Sequence, residues 1–166
     1  YFALSNEWPW GLMEFIRLAK IKNLPLVCTL QNSYSLINRI VELGMTEIFF
    51  REKLSFFSYS PLGFGHLSGK YLKDPRAAGR INLFPGYAQR YNKSGVEKAI
   101  EKYDALAAKR NLSLTDLALS FVYSQWFVTS TVIGATNIKQ LKQNIAAYGL
   151  DIVDEELIQE IDAIHL

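Results

Sequence analysis

Four short apolar segments, each followed by a stretch with helical spacing, constrain the fold of this 166-residue chain more than any other feature. Residues 1–5, 26–31, 55–60 and 129–133 are rich in aromatic or β-branched side chains and bounded by turn residues, the signature of strands. The first reads as a buried strand. After it, Leu12, Phe15, Ile16 and Ala19 recur at helical spacing up to Lys22, with Asn6 expected to cap this helix and Pro9 in its first turn. Asn23-Leu24-Pro25 ends it. A less regular helix is expected over residues 37–53, then helices over 95–110, 113–126, 137–148 and 154–164. Ser113 and Asp116 have the form of a capping box, Thr136 or Asn137 caps the next helix, and Gly149 closes it.

Strands alternating with helices imply parallel βα units joined by right-handed crossovers. A closed (β/α)8 barrel takes roughly 200 to 400 residues, so this chain holds about half of one. Four parallel strands also suffice for a small open α/β sheet, and periodicity does not separate the two. No repeat or linker interrupts the pattern, so residues 1–166 read as a single domain.

Composition removes several functions. With 18 Lys+Arg against 16 Asp+Glu, the net charge of +2 is too small to argue for nucleic acid. No apolar run is long enough to span a bilayer, and the first residues carry no basic secretory leader. Cys28 is the only cysteine, so no internal disulfide forms and a reducing, cytoplasmic setting is expected. With no Cys, His or carboxylate cluster at ligand spacing, no metal site is expected. Phe49-Phe50, Phe56-Phe57 and Trp126-Phe127 read as core; Trp8 and Trp10, just after the first strand end, either line a substrate mouth or, the favoured reading, pack there.

Ligands of parallel α/β folds gather at the carboxyl ends of the strands. Here those ends are Ser5-Asn6, Gln31-Asn32, Tyr59-Ser60-Pro61-Leu62-Gly63 and Gly134-Ala135-Thr136. Residues 63–91 form a long Gly- and Pro-punctuated segment with Lys70, Lys73, Arg76, Arg80 and Arg90, and loops of that length are usually functional.

In this order and spacing, with Gly69-Lys70-Tyr71, Ile133-Gly134-Ala135-Thr136-Asn137, Gln140-Leu141 and Asn144-Ile145, the series resembles the aldo-keto reductase family. Within that family it is most similar to the branch of Tas-like bacterial reductases and potassium-channel β-subunits. The resemblance covers nearly the whole chain but only the second half of the family's barrel, strands five to eight with their helices. It implies an NADP cofactor extended across the barrel mouth. Ser5, Asn6 and Gln31 match residues that hydrogen-bond the nicotinamide carboxamide, whose carbonyl and two N–H groups suit amide and hydroxyl partners. Tyr59 matches the aromatic that stacks on the nicotinamide ring. Ser60, Pro61, Leu62, Gly63 and Phe64 match the loop along the pyrophosphate, and Lys70 and Arg80 match basic positions closing over the phosphates. Gly134 and Thr136 lead into a helix N-terminus that favours the 2′-phosphate. Gln140, Gln143 and Asn144 match positions facing the adenosine.

The family's catalytic Tyr, Lys, Asp and His belong to the half of the barrel before this segment, and no catalytic residue is assigned here. The resemblance therefore implies the cofactor-binding half of an NADP-dependent reductase of aldehydes or ketones, inactive alone. The alternative is a non-catalytic nucleotide-binding or interaction module that self-associates. A half-barrel also exposes two strand edges and half an interior. It is expected to be a fragment of a longer reductase, to pair with a second copy as a homo-oligomer, or to rearrange into an open sheet.

Overall fold

The computed structural model describes residues 1–91 and 93–165. Strands β1 (Phe2–Ser5), β2 (Val27–Ser33), β3 (Ser55–Tyr59) and β4 (Ser130–Val132) form one parallel sheet in the order β1-β2-β3-β4. Every crossover steps to the next strand in the same direction. With crossovers of one hand, that order lays the helices on one face, whereas a doubly wound sheet reverses direction and covers both. The result is an open α/β sheet with the layout of part of a (β/α)8 barrel wall.

The helices are α1 (Pro9–Lys22), α2 (Met45–Glu52), α3 (Lys70–Lys73), α4 (Arg80–Leu83), α5 (Val96–Lys109), α6 (Leu114–Tyr123), α7 (Ile138–Ala146) and α8 (Glu155–His165). Their ends follow local chemistry. The Ser113 hydroxyl accepts from the Asp116 N–H, and the Asp116 carboxylate accepts from the Ser113 N–H, so the expected capping box is present. Asn137 rather than Thr136 caps α7, and Asp154 Oδ1 accepts from the Leu157 N–H at the start of α8. Asn23 closes α1 in the left-handed conformation, its N–H reaching the Ala19 carbonyl.

Strand register sorts side chains by face, because residues paired across parallel strands point the same way. Leu4, Leu30 and Phe56 are aligned, and Leu30 and Phe56 are fully buried. They join Leu12 and Ile16 of α1, Phe49 of α2, Phe121 of α6 and Phe127 in one core. Phe49 stacks on Phe56 with ring centroids 4.9 Å apart. On the opposite face, Thr29, Gln31, Phe57, Tyr59 and Val132 all keep contact with solvent. A partly buried polar cluster ties the turn after β2 to α8: the Tyr34 hydroxyl donates to Glu42, and Arg39 pairs with both Glu42 and Asp162.

Several expectations are corrected. β1 is an exposed edge strand and not a buried one, since nothing described pairs with its outer side. Asn6 does not cap α1: it lies at φ 60°, and the helix starts after an extended Trp8 with no side-chain cap. Residues 37–53 give only a 3-10 turn at Ile40–Glu42 and then α2, because Gly44 turns the chain at φ 108°. The segment 63–91 carries α3, α4 and two 3-10 turns instead of open loop. Phe50 and Trp126 are exposed and meet each other edge to face, while their neighbours Phe49 and Phe127 are core. Trp8 and Trp10 are likewise exposed, at 63% and 80%, beside the β1 edge.

Candidate functional site

The carboxyl ends of the four strands share one rim. Ser5 and Gln31 are register partners on the open face. Beyond β1 the Asn6 N–H still donates to the Gln31 carbonyl at 2.9 Å, so the ladder continues one residue past the strand. The Asn6 amide Nδ2 donates to Ser5 Oγ at 3.1 Å. Tyr59, at the end of β3, reaches across β2 and donates its hydroxyl hydrogen to Asn6 Oδ1 at 2.5 Å. Arg90 donates to the same Tyr59 oxygen at 3.0 Å. Three of the four strand tips thus hold a half-exposed ring within a network of amides and hydroxyls.

Next to this ring the chain turns sharply. Ser60, Gly63, Phe64 and Gly65 all have positive φ. Gly63 suits this turn, because its φ of 53° is a conformation side chains rarely adopt and a Cβ would also press on Ile37 Cδ1. Its N–H bonds to the Ser60 carbonyl, while the Leu62 carbonyl accepts from both Gly65 and Leu67. Pro61 is buried and Leu62 packs against the core, so the turn is anchored from below. The Phe64 ring lies within 6 Å of two guanidinium groups, Arg80 at 5.6 Å and Arg90 at 5.7 Å. Lys70 Nζ donates to the Ala78 carbonyl at 3.1 Å and sits 4.7 Å from the Tyr71 ring. Gly79 passes so close that a Cβ there would run into Lys70 Nζ.

Past β4, the Thr136 N–H and hydroxyl both donate to Gln140 Oε1, at 2.9 and 3.0 Å. One carbonyl oxygen thus gathers donors at the start of α7, where an anion would also be favoured. Asn144 is buried and donates its amide to the Gly134 carbonyl at 3.1 Å, fixing the turn that leads into α7. Nothing lies within 4 Å of the position a Gly134 Cβ would take, so the space in front of this turn is open. Gln143 faces elsewhere: its amide donates to Ser113 and Asp116 at the start of α6.

The donor set suits a nucleotide carrying a carboxamide-bearing ring. Amide and hydroxyl groups of Ser5, Asn6 and Gln31 offer both donors and acceptors beside the Tyr59 ring. The Lys70, Arg80 and Arg90 cations lie on the segment beyond, and the α7 N-terminus lies past the adjacent strand tip. Among the described residues, no group of three or more His, Cys, Asp or Glu is arranged to hold a metal. No described helix is long and apolar enough to cross a membrane.

Sequence reasoning did not single out Arg90 from the other cations of its segment. The only signal was its charge, and the fold alone brings it to Tyr59, which holds its guanidinium above the ordinary range. It also did not single out His66. The His66 Nε2 is buried without a hydrogen-bond partner against the rings of Tyr71 and Tyr91, and burial holds its pKa below the usual value.

The model of the Aldo/keto reductase family matches residues 1–165. The chain is 40% identical to Protein tas of Escherichia coli (strain K12) over 165 residues, covering 99% of this chain and 47% of the relative. It is 37% identical to an aldo-keto reductase of Babesia bovis over 173 residues, 99% of this chain and 60% of the relative. A probable voltage-gated potassium channel subunit beta of Oryza sativa subsp. japonica is 26% identical over 172 residues, 93% of this chain and 51% of the relative. The chain thus spans about half the length of most of these relatives. With a family match over nearly every residue, and a parallel sheet whose strand tips converge on one rim, the chain belongs to the aldo/keto reductase family.

Proposed function

We propose that this chain is the NADP-binding half of a reductase that transfers hydride to small-molecule aldehydes or ketones. The observation that carries the reading is the rim where Tyr59 bonds Asn6 across β2, flanked on the next strand by the Gly134 turn into α7. Members of the family generally use NAD(P)H, whose nicotinamide supplies the hydride. Ser5, Asn6 and Gln31 orient the carboxamide, and Tyr59 lies against the ring and fixes which face is offered. The turn from Ser60 to Phe64 follows the pyrophosphate, with Lys70 and Arg80 against its charge. Thr136 and the α7 N-terminus receive the 2′-phosphate, displacing Gln140 Oε1 from its donors, and Gln140 then faces the adenosine. Asn144 positions this end indirectly, through the Gly134 carbonyl. The 2′-phosphate contact is what selects NADP over NAD.

The proton for the reduced carbonyl comes from outside these residues. Tyr34 is sealed in the core, where burial and Glu42 push its hydroxyl far above the usual phenol range. Tyr59 is occupied by Asn6 and Arg90, and no lysine among the described residues bonds to it. A second reading, a nucleotide-binding module that self-associates, is favoured by the apolar side chains left exposed at both sheet edges. These include Trp8 and Trp10 beside β1, and Val132, Ile138 and Ile145 beside β4. On either reading the working place is the cytoplasm, with no part played by nucleic acid or membrane.

Titration of the purified chain with NADPH, followed by tryptophan and tyrosine fluorescence, tests the proposal. Saturable quenching without carbonyl-dependent NADPH oxidation supports it. Absence of binding overturns it, and carbonyl reduction by this chain alone overturns the assignment of the proton donor to another segment.

A further inference from the structure

The site carries a charge that the roles above do not use. Arg90 stands at the hydroxyl end of Tyr59, its Nη1 3.0 Å from the phenol oxygen and its guanidinium carbon 5.8 Å from the ring centroid. The same group lies 5.7 Å from the Phe64 ring. Among the described residues no carboxylate is paired with it; its partners are the Tyr59 hydroxyl and ring, the Phe64 ring and the neighbouring Tyr91 phenol. Its positive charge is therefore not cancelled by a paired carboxylate, and it sits at the hydroxyl edge of the ring proposed to hold the nicotinamide.

From this geometry we infer that Arg90 makes the site discriminate between the two redox forms of its cofactor, favouring the reduced one. The inference rests on the nicotinamide reading of Tyr59. The reduced ring is neutral and the oxidised ring is a pyridinium cation, and the rest of the cofactor is the same in both. A ring laid on Tyr59 comes within about 7 Å of the guanidinium, given the 5.8 Å to the Tyr59 centroid and ordinary stacking distance. At that separation, in a half-exposed site of effective dielectric about 40 to 80, like-charge repulsion weakens the oxidised form about three- to sevenfold. Lys70, Arg80 and the α7 N-terminus act on phosphates common to both forms, so their contributions cancel in the ratio. Arg90 is thereby a specificity-determining residue: it sets the site to hold NADPH more tightly than NADP+.

The experiment is the ratio of dissociation constants for NADP+ and NADPH, measured on the full chain by fluorescence titration at low and at high salt. The wild type is expected to bind NADPH about three- to sevenfold more tightly, with the ratio shrinking as salt rises. Arg90→Gln brings the ratio close to one, chiefly by strengthening NADP+ relative to NADPH. Arg90→Lys, which keeps the charge, retains the preference. Lys70→Ala weakens both forms by the same factor and leaves the ratio in place. If both forms bind and Arg90→Gln leaves the ratio unchanged, the inference about Arg90 is overturned while the cofactor site stands. If neither form binds the wild type, the nicotinamide reading falls and takes the inference with it. Circular dichroism of each variant separates a lost preference from a lost fold.

Discussion

Tyr59 and Asn6 lie 53 residues apart, yet the phenol hydroxyl of one donates to the amide oxygen of the other across the tip of an intervening strand. The contact joins β1 to β3 over the end of β2 and gives the rim a shape that no single strand could hold. Because it is exposed, its net stabilisation is small, about 0.5–1.5 kcal/mol. Tyr59→Phe should therefore leave thermal stability nearly unchanged and lower NADPH affinity only a few-fold, since the ring remains. Tyr59→Ala should lower affinity by roughly tenfold or more, because stacking is lost as well. Calorimetric titration of the two variants separates ring from hydroxyl, and equal losses in both would remove the stacking role.

Gln140 and Lys70 serve opposite ends of the proposed nucleotide. Gln140→Ala takes away an adenosine contact, and Lys70→Ala removes a cation near the phosphates. Each should weaken NADPH several-fold, the lysine effect fading as salt rises. Neither should change the unfolding free energy by more than about 1 kcal/mol, since both side chains keep contact with solvent. Unchanged affinity in both variants would withdraw the phosphate and adenosine assignments.

Phe49 and Phe50 are neighbours in α2 on opposite sides of the core boundary, 4% and 73% exposed. Phe49→Ala should cost about 3–5 kcal/mol through a cavity beside Phe56, whereas Phe50→Ala should cost no more than about 1 kcal/mol, the worth of its edge contact with Trp126. Urea denaturation followed by circular dichroism gives both numbers, and similar losses would contradict the register of α2 on the sheet.

His66 is held neutral by burial, below its ordinary value of 6.5. The unfolded chain takes up the proton near that value, so it binds more protons than the folded chain once the pH falls below about 6.5. Stability tied to this residue is full above 6.5 and is lost as the pH drops toward the depressed folded pKa. His165 is shifted the same way by burial, so His66→Gln should flatten the acid loss only in part. Urea midpoints between about pH 5.5 and 7.5 measure the slope, and an identical slope in wild type and variant would rule His66 out.

The exposed apolar side chains at the two sheet edges predict concentration-dependent self-association. Replacing Trp10, which is 80% exposed, with Glu should shift sedimentation toward the monomer without unfolding the chain. A monomer in the wild type at every concentration would refute the association reading.

Much of the fold was legible from local chemistry alone. Strand and helix order, the Ser113–Asp116 box, the stop at Asn23 and Pro9 in the first turn of α1 follow from periodicity and backbone preferences acting over a few residues. The strand tips were legible too, because parallel βα units bring every carboxyl end to the same rim. Alternation along a short strand does not say which face meets helices, or whether an edge has a neighbour. Phe50 therefore reads as core, and Trp8 and Trp10 as packed beside a strand end, but all three stand in solvent, and β1 is an edge. The meeting of Tyr59 with Asn6 and Arg90, Gln143 turned toward α6, and Asn144 drawn under the Gly134 carbonyl depend on how distant elements dock. Local pattern carries the backbone's own preferences; which side chain meets which across the sheet is a property of packing, and only the tertiary structure decides it.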